Sequence, residues 1–209
     1  MDSAQANEHL RVIRNLMERA TIYRAISAPT ALVGGILSIV ASVVVTDEDV
    51  DHFIEGWLLV LVVTLVANTW FIRLKARREG GKIFSSGLRL AIRSALPVLL
   101  VAAVVTAALW HNGGGKGFAV VLAAVWTLCY GLALLSTATF APGSLVWFGW
   151  FFLLTGLLAG LILSQQIHPA SHPASLLMGL SFGCYHLIYA ACTWPRKRAA
   201  KAAAQMSIE

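Results

Sequence analysis

Three features of the sequence predict an all-α integral membrane protein, built from six transmembrane helices and an N-terminal cytoplasmic amphipathic helix. Charged residues are 12% of the 209 and hydrophobic ones 58%, where an average soluble domain is about 25% charged. The mean hydropathy of +0.74 is concentrated in uncharged stretches, each near the roughly 20 residues that a helix needs to cross about 30 Å of hydrocarbon. Finally, of the 16 lysines and arginines only Lys116 falls outside the connections that alternate on one side of those stretches, and basic loops stay cytoplasmic. A soluble globule and a disordered chain are both excluded by this composition.

The N-terminal arm, residues 1–27, places Leu10, Ile13, Leu16, Met17, Ala20 and Tyr23 on one arc of a helical wheel. Arg11, Arg14, Asn15, Glu18 and Thr21 fall opposite, which predicts an amphipathic helix at the cytoplasmic surface. Asp2 or Ser3 would cap its start, and Pro29 marks the break before the first span. Roughly 25 polar or amphipathic residues ahead of the first apolar stretch also argue against a cleavable signal peptide.

A transmembrane domain over 28–194 follows, with spans at about 28–45, 56–72, 90–110, 118–138, 145–163 and 175–194. The first connection is acidic, with Asp47, Glu48, Asp49, Asp51 and Glu55. The second, 73–93, is basic and includes Arg73, Arg77 and Arg78. Gly113, Gly114 and Gly115 close the third span, Pro142 and Gly143 the fourth, and Pro169 and Pro173 the fifth. Residues 195–209 form a basic tail with Arg196, Lys197 and Arg198. Both termini are therefore expected in the cytoplasm, and the chain in a bacterial-type plasma (inner) membrane. Arg11, Arg14, Arg77, Arg78, Arg196, Lys197 and Arg198 are the residues expected to touch anionic headgroups or an acidic partner, and nucleic acid is not expected.

Helices associate in lipid through small residues and a few polar contacts, so these reveal the inward faces. Ala31, Gly35, Ser38 and Ser42 share a face of the first span, and Thr64 and Asn68 one of the second. The fourth offers Thr127, Tyr130 and Gly131. The fifth carries Gly149, Phe152, Gly156 and Gly160, the last two a G-x-x-x-G match, and the sixth carries Gly179, Phe182, Gly183, His186, Tyr189 and Ala190. Cys129, Cys184 and Cys192 lie within spans and read as packing residues rather than disulfide partners.

No Asp, Glu, Lys or Arg lies mid-span, which argues against carboxylate-coupled transport and against paired-carboxylate catalysis. No nucleophile elbow, H-E-x-x-H, C-x-x-C or phosphate-cradling glycine loop is present. His186 is the one mid-span histidine. An unpaired imidazole there would cost free energy, so a hydrogen-bond partner is expected, with Tyr130 first and Tyr189, Ser38 and Thr155 in reserve. These five residues form the candidate midplane polar site. The tandem tetrapeptide His168-Pro169-Ala170-Ser171 and His172-Pro173-Ala174-Ser175 brings two histidines to the opposite, acidic side. The proline after each disfavours the helix that would stack them as ligands, so no metal and no cofactor are expected. Ser175 is expected to cap the sixth span.

Two functional classes fit. One is a non-enzymatic accessory or regulatory membrane protein, which engages a protein partner or a second copy through the N-terminal helix. The other is a small transporter or channel for a neutral or weakly polar solute, lined around His186. An intramembrane enzyme with His186 as base ranks below both, because the histidine lacks a visible catalytic partner.

Overall fold

The computed structural model describes residues 28–79, 86–111, 117–164 and 172–194. The arm with Arg11 and Arg14, His168, and the tail with Arg196, Lys197 and Arg198 lie outside the described residues. Five helices in chain order are α1 (Ala28–Val44), α2 (Val50–Glu79), α3 (Ser86–His111), α4 (Phe118–Leu135) and α5 (Gly143–Ser164). The last span has three parts: α6 (Pro173–Met178), a π-helical turn (Gly179–Cys184) and α7 (Tyr185–Thr193). Among the described residues there is no strand. Among the described residues five spans are long and apolar enough to cross a membrane, and α1 is a shorter apolar helix. The chain is an all-α, multi-pass membrane protein.

Its solvent can be read from which residues point where. The buried positions are dominated by small side chains, among them Ala31, Ala41, Ala119, Ala123, Ala174 and Ala190. The large aliphatic ones lie outside, including Leu59, Val62 and Val66 on α2 and Leu99, Leu100 and Val104 on α3. Water would reverse that order at about 25 cal/mol for each Å² of apolar surface, whereas hydrocarbon tails are as apolar as leucine and leave tight backbone packing to decide.

α4 lies at the centre and packs against α2, α3, α5 and α6, while α1 packs against α2 and all parts of the last span. Glycines set the two closest seams. A β-carbon on Gly131 would lie 2.5 Å from the Leu153 amide nitrogen, and one on Gly156 would lie 2.6 Å from that of Leu128, so α4 and α5 touch backbone to backbone. Along α1, a β-carbon on Gly35 would meet Leu187, while those on Gly179 and Gly183 would meet Ser42 and Ile39. Gly160 departs from its expected role, since nothing lies within 4 Å of its β-position. It falls on the right arc of α5, but Leu157, Leu158, Leu161 and Ile162 around it are all exposed. The helix has left its neighbour beyond Gly156, and the G-x-x-x-G pair works only through its first glycine.

Three further boundaries differ from the sequence reading. The second helix begins at Val50 rather than near residue 56. Asp49 Oδ1 accepts the Asp51 amide at 3.0 Å, an N-cap bond, and Phe53, Ile54 and Trp57 are buried in the first turns. The fourth helix stops at Leu135 instead of running to about 138. There the Ser136 and Thr137 hydroxyls donate to the Ala133 and Leu134 carbonyls, taking acceptors that another helical turn would use. The last span is widened by the π turn, which apolar periodicity did not predict.

The bundle has an acidic end, holding the connection 45–49 and the start of the last span, and a basic end, holding Arg73, Arg77, Arg89 and Arg93. Ser175 does not cap the last span: its hydroxyl donates to the Val45 carbonyl at 2.7 Å. The cap comes from the first connection, where Asp47 Oδ2 accepts the Ala174 amide at 2.8 Å.

Candidate functional site

The candidate site is assembled on α4, α5 and the last span. His186 is the second residue of α7, directly after the π turn, and its Nε2 lies 3.0 Å from the Tyr130 hydroxyl of α4. The hydrogen bond expected between these two residues is thus made. Around the imidazole stand Phe148 at 5.2 Å, nearly perpendicular at 86°, Phe152 at 5.6 Å and 77°, and Phe182 stacked at 15° and 6.1 Å. Phe152 and Phe182 also flank the Tyr130 ring, at 4.7 and 5.1 Å. Edge-to-face and offset contacts at these distances are the favoured aromatic geometries. Phe148 and Phe152 are buried, while Tyr130, Phe182 and His186 are half-buried, so the rings pack against the pair without enclosing it.

The remaining expected members have contacts of their own. Thr155 shares a 2.9 Å hydrogen bond with Tyr185. Tyr189 is buried with its ring 4.8 Å from Phe148. Ser38 is buried on α1. The Thr127 and Ser181 hydroxyls face each other at 3.4 Å across the seam, each placed to donate its one proton to the carbonyl four residues back in its own helix. Polar groups in the core therefore mostly satisfy one another in pairs across helix seams.

Among the described residues two buried polar atoms are exceptions, Trp57 Nε1 on α2 and, within this site, His186 Nδ1. The latter is buried and has no well-formed hydrogen bond, although the carbonyls of Phe182 and Ser181 on the π turn lie beside the ring. A π turn shifts bonding to i→i+5 and disturbs the regular carbonyl ladder. The bond to Tyr130 can form with either tautomer, the hydroxyl donating to Nε2 with the imidazole proton on Nδ1, or Nε2–H donating to the hydroxyl. No carboxylate or cation joins the pair among the described residues, and the bond ties α4 to the last span.

Sequence reasoning missed Phe148 and Tyr185 and gave Phe152 and Phe182 only packing roles. The usable signal was in the last span, where Ser181, Phe182, Tyr185, His186 and Tyr189 are too many large or polar residues for one 3.6-residue face. At the acidic end, the His172 Nδ1 hydrogen is donated to Asp47 Oδ1 at 2.8 Å. Among the described residues, no three His, Cys, Asp or Glu side chains gather as a metal would require.

No protein-family model matches the chain, and no curated protein or solved structure matches it either. The functional reading therefore rests on the geometry alone.

Proposed function

We propose that the chain is a non-enzymatic accessory or regulatory protein of a bacterial-type plasma (inner) membrane, acting through what binds its basic end. The observation that carries this reading is the aromatic packing of Phe148, Phe152 and Phe182 against the His186 ring, which takes up space that a flow of solute or a reaction would use. Arg73 and Arg77 are exposed at the basic end. Together with Arg78, the arm residues Arg11 and Arg14 and the tail residues Arg196, Lys197 and Arg198, they would face the cytoplasm and its anionic headgroups. The amphipathic arm 1–27 would dock a protein partner or a second copy.

The test is purification from the native membrane in mild detergent, with the full chain and with a chain starting at residue 28. The expected result is a stoichiometric partner, or a dimer, that is lost with the arm. Single cysteines at Glu48 and Ser144 check the orientation, since only the one at Glu48 should react with an impermeant maleimide added outside.

A second reading, a small transporter or channel for a neutral or weakly polar solute, draws on the unpaired Nδ1 of His186 beside the π turn. Proteoliposomes decide between the two. Solute flux that disappears in His186→Leu would replace the first reading by the second.

A further inference from the structure

We infer that the basic end of α2 holds one anionic phospholipid, its phosphate on Arg73 and Arg77 and its acyl chain along Leu65 and Val66. This rests on the reading that the basic end lies in an anionic headgroup layer. The observation behind it is a shallow groove of about 270 Å³ lined by Leu65, Val66, Thr69, Trp70 and Arg73. α2 is the longest helix of the chain, 30 residues, or about 45 Å at 1.5 Å per residue. Trp70, twenty residues along it, stands about 30 Å from the acidic end, where hydrocarbon gives way to headgroups.

At that depth the helix offers graded chemistry. Leu65 and Val66 are exposed and apolar, Trp70 is 63% exposed, and Arg73 and Arg77 continue the same stripe one turn apart. Thr69 turns its hydroxyl back to the Leu65 carbonyl at 2.8 Å, which leaves the groove floor apolar. Among the described residues, no carboxylate pairs with Arg73 or Arg77. Two unopposed guanidiniums one turn apart suit a phosphate diester, since each can donate two parallel N–H bonds to its oxygens. An indole beside them suits the glycerol ester level. A soluble anion would use the arginines and leave the groove bare, and the apolar floor is why a lipid is the occupant.

The experiment is native mass spectrometry of the full chain released from nanodiscs of phosphatidylglycerol and phosphatidylcholine in equal parts. One phosphatidylglycerol should remain bound. R73Q and W70L should each weaken its retention, R73Q by on the order of tenfold, while R93Q on α3 should leave it unchanged. Glycerol 3-phosphate, which lacks acyl chains, should not displace it. Equal losses in R73Q and R93Q, or displacement by glycerol 3-phosphate, would overturn the site while leaving the headgroup reading intact. No preference for phosphatidylglycerol in the unaltered chain would overturn both.

Discussion

Asp47 closes the first connection onto the last span by holding His172, whose Nδ1 lies 2.8 Å from its Oδ1. The carboxylate is 4% exposed and the imidazole 44%. The two oxygens divide the work, one taking the imidazole and the other the Ala174 amide at the start of α6. A carboxylate at a helix start accepts from an orphan N–H and sits at the positive end of the helix dipole, so both effects stabilise it.

Asp47→Ala should accordingly destabilise the bundle by about 1–3 kcal/mol, because the Ala174 N–H is left without an acceptor. His172→Ala should cost less, since its ring is partly in solvent and its loss leaves the amide bond standing. Thermal melts in detergent would measure both. Equal melting temperatures for Asp47→Ala and the unaltered chain would refute the cap.

Gly131 and Gly160 should respond oppositely to one added methyl group. Gly131→Ala forces a β-carbon against the Leu153 amide, and overpacking of this kind costs about 1–3 kcal/mol. Gly160→Ala meets nothing within 4 Å and should be neutral or stabilise by about 0.5–1 kcal/mol through helix propensity. A tolerant Gly131 would mean that α4 and α5 do not touch along this seam.

The Tyr130 and His186 pair should reveal itself by coupling. Each single change, Tyr130→Phe or His186→Leu, strands the other group in an apolar surround, and the double change removes both. Interhelical hydrogen bonds in membranes average about 0.6 kcal/mol in such cycles and reach about 1.7. Two single effects that simply add would show that the bond is incidental.

Thiol chemistry separates the three cysteines, all of them free. Cys192 is exposed and Cys129 buried. A membrane-permeant maleimide should modify Cys192 in the folded protein and reach Cys129 only after denaturation. Early labelling of Cys129 would contradict the packing of α4 at the centre.

The π turn makes an unusual deletion tolerable. Removing one residue from an ordinary helix rotates everything beyond it by about 100°. Here the turn already contains one residue more than an α-helix needs. Deleting exposed Leu180 should restore α-helical register, with Ser175 and His186 still on their present faces. A chain without Leu180 that melts far below the parent would show that the π turn is needed for stability.

The apolar spans and the Tyr130 and His186 pairing were legible because each depends on a local property: a run of uncharged residues, or a lone imidazole in need of a partner. The extension of α2 to Val50 was hidden because Asp49, Asp51 and Glu55 look like a loop until Phe53 and Ile54 are seen buried below them. Gly160 was misread because helical spacing fixes an arc but not the distance to the next helix. The π turn escaped because its cause lies in tertiary packing: Gly179 and Gly183 must meet α1 while Ser181 and His186 meet α4.

The placement of α1 has a consequence for how the protein is made. Its glycine and serine face closes on α7 and the π turn, which are synthesised more than 130 residues after it. Until then Gly35, Ser38 and Ser42 have only lipid, or the insertion machinery, for company. A chain halted before residue 172 keeps the first hairpin but lacks the partner of its glycine face. Closure of this face therefore waits for the span that holds Gly179, Gly183 and Leu187, and the earlier helices must be held in the bilayer until it arrives.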